Sequence, residues 1–174
     1  IHIRISNHST PQAIGALKDG SADIAVVTTP TVHTASLIET VVRPITEVAV
    51  CSPYFKELAD KQISLSELIN FPLISLGKDT KSFEFYSALF TAHGLPYKPD
   101  IEAFTADQIL PMVEADLGIG FVPEEFLREG DSICRIKLEE KIPKRSIVII
   151  KRKGQPLSVA AKELERMIRE CGNQ

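Results

Sequence analysis

The feature that most narrows what this chain can fold into is an alternation. Short apolar runs of strand length are each followed by hydroxyl residues and a helix-start signal. Ile24-Ala25-Val26-Val27 leads into Thr28-Thr29, Pro72-Leu73-Ile74-Ser75-Leu76 into Thr80 and Ser82, and Ile101 to Phe104 into Thr105. Strands alternating with helices predict an α/β fold built on parallel sheet. At the start, Ile1, Ile3 and Ile5 alternate with polar residues, which predicts a strand over 1–6. The helix expected next has Thr10 as its N-cap, Pro11 in its first position, Ile14 and Leu17 on its apolar stripe and Gly20 at its end. With 24–27 taken as a strand buried on both faces, residues 1–28 read as βαβ.

Further along, a polar passage from Thr28 to Thr40 gives way to one long strand over about 41–51. A short helix is expected at 64–69. A better-marked one carries Phe83, Tyr86 and Phe90 at helical spacing, with His93 near its end and Gly94 and Pro96 as terminators. Thr105 and Gln108 form a capping box, with Phe104 and Ile109 placed as a hydrophobic staple. A helix starting there puts Pro111 beyond the first turn, where a kink is expected. The glycines of Leu117-Gly118-Ile119-Gly120-Phe121-Val122-Pro123 predict a short strand approached closely by another backbone. A brief helix at 124–128, strands at 133–138 and 146–150, and a final helix with Leu157, Ala160, Ala161, Leu164, Met167 and Ile168 on one stripe complete the order. Two α/β lobes joined by two connections are expected, with 1–30 opening the first, 31–130 forming the second with its crossovers, and 131–174 returning to the first.

Composition excludes several classes of function. With 20 Lys and Arg against 23 Asp and Glu in 174 residues, and only Lys151-Arg152-Lys153 as a basic run, the chain has no face for a phosphate backbone. The apolar runs fall far below the about 18 residues of a membrane helix, so no membrane partner is expected. Cys51, Cys134 and Cys171 are odd in number and form no C-x-x-C pair, which suits a reducing compartment and incidental thiols. His2, His8, His33 and His93 fit no metal-binding spacing, and no nucleophile elbow, P-loop or dinucleotide fingerprint occurs. Neither an enzyme, a metal nor a cofactor is expected.

The hydroxyls carry the positive signal. In open α/β sheets, ligands sit beyond the carboxyl ends of strands, where helix N-termini offer N–H groups and partial positive charge. Every inferred strand end bears hydroxyls: Ser9 and Thr10, Thr28 and Thr29, Thr80 and Ser82, and Thr105. Ser and Thr cap helices everywhere, which is the simpler reading of any one position. Four strand ends from two lobes, brought together, would make a polar cleft for a small anion, typically a carboxylate.

These residues resemble a known family. Ile3 to Val27, with its Ala16-Leu17-Lys18-Asp19-Gly20-Ser21-Ala22-Asp23-Ile24-Ala25-Val26 core, is similar to the second strand, helix and third strand of the LysR-type transcriptional regulator effector-binding domain. Gly118 to Pro123 resembles that family's glycine-hydrophobic-glycine segment, and Pro72-Leu73-Ile74 leading to an aromatic helix and His93-Gly94 extends the likeness over nearly the whole chain. The resemblance implies a periplasmic-binding-protein fold of type 2, with two α/β subdomains, two crossover strands and an effector cleft between them. It implies a cytoplasmic regulator that is a homodimer or tetramer at full length and touches DNA only through an upstream domain outside this chain. Positions matching effector contacts are Thr10, Thr28, Thr80, Ser82 and Thr105, with Ser9 and Thr29 as neighbours.

Against that pattern, the first strand and helix of the domain are absent, so the chain reads as an excised fragment. The peroxide-sensing branch uses a cysteine pair in the second lobe. Here Cys51 and Cys134 stand far apart in sequence, and redox sensing is not expected. The alternative reading is an extracytoplasmic solute-binding protein of the same fold.

Overall fold

The computed structural model describes residues 2–128, 130 and 132–171. They form two compact units, one of residues 1–44 with 145–174 and one of residues 45–144.

In the first unit, helix α1 (Thr10–Asp19) follows Ser9, whose extended backbone and N–H donation to Gln12 Oε1 at 2.9 Å make it the N-cap in place of the expected Thr10. Gly20 ends the helix at φ 85°, a left-handed conformation that glycine adopts without steric cost. Strand β1 (Ala25–Thr28) pairs antiparallel with β9 (Arg145–Arg152), Ala25 facing Ile150 and Thr28 facing Ile147. Strand β2 (Leu37–Ile45) lies on the other side of β9. The centre of β9 is its most buried stretch, Val148-Ile149-Ile150. Ala13, Ile14 and Leu17 of α1 pack onto Ala25, Val148 and Ile150. Helix α5 (Val159–Cys171) buries Ala161 and Glu165, and Glu165 accepts two hydrogen bonds from Lys151 Nζ at 2.8 and 2.9 Å.

Three expectations fail in this unit. Residues 2–8 form no strand, and Ile3 and Ile5 are exposed, because no described strand runs alongside them to complete a ladder. The βαβ reading of 1–28 fails with them, since β1 finds its partner in the distant β9, and antiparallel. Nor is 24–27 covered on both faces, for Val26 is about half exposed. Only Ala25 turns fully inward.

The long strand expected over 41–51 is two strands. The chain leaves the first sheet after Ile45, and β3 (Glu47–Cys51) enters a second. Pro44, which has no N–H to give a ladder, stands just before the change. With β4 (Gln62–Ile63), β5 (Leu73–Leu76), β6 (Ile101–Ala103), β7 (Ile119–Pro123) and β8 (Cys134–Leu138), the order across the sheet is β4-β8-β3-β7-β5-β6. Neighbouring residues feed opposite faces, as the two-residue period of a strand requires. Ala49, Cys51 and Phe121 join a cluster with Tyr86, Phe90 and Tyr97 of the aromatic helix and its exit, while Val50 and Val122 join Ile74, Ile109 and Val113.

Helices α2 (Leu65–Leu68), α3 (Lys81–Ala92) and α4 (Ile109–Glu114) complete this unit. Both Ser64 and Thr80 cap their helices, accepting from Glu67 N at 3.2 Å and Phe83 N at 3.1 Å. Thr105 begins a single 3₁₀ turn, Ala106–Gln108, and α4 proper starts at Ile109. Pro111 is therefore the third residue of α4, where a helix has no N–H to bond, and the expected kink does not arise. The staple does not close either: Ile109 is buried while Phe104 is exposed. The glycine expectation holds at Gly118, where a Cβ would stand 2.5 Å from the Pro72 carbonyl oxygen; at Gly120 the close neighbours are side chains instead, a Cβ standing 2.6 Å from Ile109 Cγ2 and 3.0 Å from Val113 Cγ2 of α4.

Candidate functional site

Thr28 and Thr29 close β1, and the structure gives them a partner that sequence reasoning missed. Arg145, the first residue of β9, is only 4% exposed. The β1–β9 register places it just past the end of β1, where its Nη2 donates to Thr28 Oγ1 at 2.6 Å and its Nε to the Thr29 carbonyl at 2.5 Å. Thr29 is held further by its N–H on the Ser146 carbonyl and by the Ser146 N–H on its Oγ1, both at 2.9 Å. A guanidinium carries five N–H donors in a fixed fork that matches carboxylate and phosphate geometry. The strand end therefore combines two hydroxyls with a buried cation. The available signal was Arg145, next to Lys144, just ahead of the apolar run Ile147 to Ile150; which loop it reaches depends on register, and that is not written locally.

Ser9 and Thr10, both half-buried, stand at the start of α1, whose first N–H groups present partial positive charge.

In the second unit, β5 and β6 run parallel with Leu76 opposite Ala103, so the segments after both leave from one edge of the sheet. Thr80 follows the first and Thr105 the second. Thr80 is buried, donates to the Gly77 carbonyl at 2.7 Å and caps α3; Ser82 lies in the first turn of that helix. The backbone N–H of Thr105 donates to Gln108 Oε1 at 3.1 Å. Topology thus brings Thr80, Ser82 and Thr105 to the same edge. Carboxylates border it as well, for a Cβ on Gly77 would stand 2.7 Å from Glu102 Oε1 and 3.0 Å from Asp79 Oδ1. Lys81 is engaged by Glu84. The donors here are hydroxyl and amide groups, and the buried cation belongs to the first unit.

The cysteines correct a sequence premise. Cys51 and Cys134, remote in sequence, face each other across β3 and β8. Among the described residues, no group of three or more His, Cys, Asp or Glu is placed to hold a metal ion, and no helix is long and apolar enough to cross a membrane.

One sheet in which β1 and β9 run antiparallel and a second of mixed strand direction, each packed against helices, define an α/β class of fold. Solved structures agree on that fold. The chain superimposes on the regulatory domain of CcmR from Synechocystis PCC6803, described in complex with 2-PG, with a TM-score of 0.79 at 16% identity over 94% of this chain and 80% of that one. It also superimposes on the effector-binding domain of QuiR in complex with shikimate, with a TM-score of 0.76 at 17% identity over 95% of this chain and 79% of that one. The fold is thereby the periplasmic-binding-protein type 2. In sequence, residues 1–172 match the model of the LysR substrate binding domain. An uncharacterized HTH-type transcriptional regulator of Bacillus subtilis (strain 168), YwbI, is 32% identical over 149 residues. This chain belongs to the LysR substrate-binding domain family, a family of transcriptional regulators and not of enzymes. The YwbI match takes in 83% of this chain and 48% of that protein, so the chain spans about half the length of its relative.

Proposed function

We propose that this chain is the effector-sensing part of a cytoplasmic LysR-type transcriptional regulator and that it takes a small anionic metabolite, a carboxylate foremost. In this reading, Ser9, Thr10, Thr28 and Thr29 of the first unit and Thr80, Ser82 and Thr105 of the second supply the effector contacts. The regulator works at full length as a homodimer or tetramer, reaching DNA through a separate segment. The observation that carries the anionic preference is Arg145, a buried guanidinium at the end of β1 in contact with both threonines. Charge-assisted hydrogen bonds of this kind are about twice as strong as neutral ones. Support for a small effector comes from the two related domains described in complex with 2-PG and with shikimate. The family match favours regulation over solute delivery.

The test is a thermal-shift screen of the chain against small carboxylates, amino-acid precursors and inorganic anions. A ligand present at a hundred times its Kd stabilises the folded state by about 2.7 kcal/mol. The expected result is a saturable rise in Tm confined to anionic members of the panel. A rise seen only with neutral or cationic compounds would contradict the proposed chemistry.

A further inference from the structure

We propose that Glu47 sets the class of effector: it accepts a hydrogen bond from a hydroxyl or amino group that the effector carries beside its carboxylate. The inference rests on the effector reading above and narrows it from small carboxylates to hydroxy acids and amino acids. It starts from sheet register. Strand β3 runs antiparallel to β7, with Glu47 opposite Pro123, while β5 runs parallel to both β7 and β6. The first residue of β3 therefore lies at the edge of the sheet where β5, β6 and β7 end. From that edge the segments carrying Thr80, Ser82 and Thr105 leave. One step past the pairing of Leu76 with Ala103, Glu47 shares a row across the sheet with Gly77 and with Phe104, the residue before Thr105.

The side chain sets this position apart. Glu47, Ala49 and Cys51 alternate onto one face of β3, and the last two enter the apolar cluster that also holds Tyr86 and Phe90 of α3. Glu47 itself is only 5% exposed. A carboxylate withdrawn from water costs free energy unless donors surround it, and an apolar side chain would fill the place without that cost. Tyr86 donates its hydroxyl to Glu47 Oε2 at 2.7 Å, and Ser82 lies one turn earlier on the same side of α3. The bond fixes where the carboxylate stands. A carboxylate has about four acceptor positions, more than one hydroxyl fills. The first unit thus holds a buried cation, Arg145, and the second a buried acceptor at its hydroxyl-bearing edge. A bare ionised carboxylate has acceptors only and nothing to give Glu47, whereas an acid that also carries a hydroxyl or amino group has both.

The experiment titrates the folded 174-residue chain with trios of acids that differ at one position, added to the anion screen above. The trios are succinate, malate and aspartate; glutarate, 2-hydroxyglutarate and glutamate; and benzoate, 3-hydroxybenzoate and 3-aminobenzoate. In the strongest-binding trio, the hydroxy or amino member should bind about ten- to a hundredfold more tightly than the bare acid, the worth of one hydrogen bond to a charged group. Which of the two leads separates a hydroxyl from an amine. In Glu47→Gln, which keeps the shape and removes the charge, the gap should narrow to about three- to tenfold, since a neutral acceptor is about half as strong. Tyr86→Phe, which takes a donor from Glu47 and keeps the ring, should retain the native gap. Circular dichroism confirms that each variant is folded, and the native comparison stands without either. Equal affinities within the trio would overturn this inference and leave the effector reading standing, as would a gap unchanged in Glu47→Gln or lost in Tyr86→Phe. A strongest hit among inorganic anions or bare carboxylates would do the same. A screen with no anionic hit would overturn the effector reading and this inference together.

Discussion

Arg145 shows how one residue can hold a loop and define chemistry at once. Its guanidinium, itself buried, fixes Thr28 through a hydroxyl and Thr29 through a carbonyl at a half-buried strand end. Replacing it with Met keeps the apolar stem but strands those acceptors, and hydrogen bonds to a charged group contribute about 1.5–3 kcal/mol each. Arg145→Met is therefore expected to lower the unfolding free energy by about 2–3 kcal/mol, read as a lower midpoint in urea; an unchanged midpoint would remove Arg145 from the account. Gly120 presents the opposite case, where an added atom does the damage. Its α-carbon faces the Ile109 and Val113 side chains too closely for a methyl group, so Gly120→Ala forces the packing between β7 and α4 to shift. Overpacking of this kind costs about 1–3 kcal/mol, and denaturant unfolding of that variant measures it directly.

Elements whose ends are written locally were legible in the sequence, and those fixed by a distant partner were not. The capping box at Thr105 and the glycine stop at Gly94 need only neighbouring residues, and both appear. Residues 2–8 carry a fair strand alternation, yet alternation becomes a strand only when another strand pairs with it. Register likewise hid the meeting of Cys51 with Cys134 and of Arg145 with Thr28. The hydroxyl positions could be read from sequence; the cation beside them could not. Helix α5 gives a test at this scale. The Glu165 carboxyl is held below the ordinary glutamate range by its hydrogen bonds from Lys151 and then Arg169. In the unfolded chain it returns to about 4.3. Its contribution to stability is thus complete above that value and disappears as the pH falls through the lower folded value. Glu165→Gln should cost about 1–2 kcal/mol at pH 7, with the deficit shrinking below about pH 4. A deficit constant from pH 7 to pH 3 would show that packing, not charge, keeps Glu165 in place.

At the scale of the molecule, a family defined over residues 1–172, a type 2 binding-protein fold and hydroxyls at the strand ends of both units describe a protein built to hold something small. The chain is mildly acidic, with a formal net charge of -3. Each unit offers hydroxyl and amide donors, and the first also holds Arg145 as a buried cation. Thr10→Val and Thr105→Val remove a hydroxyl from each unit while keeping side-chain volume and leaving the sheets untouched. The most direct measurement is isothermal titration of the strongest anionic hit into the native chain and these two variants. Loss of a hydrogen bond to a charged ligand is worth about 1.5–3 kcal/mol, or about ten- to a hundredfold in Kd. The account predicts weakening of that order in both variants with the fold intact; native affinity in both would contradict it.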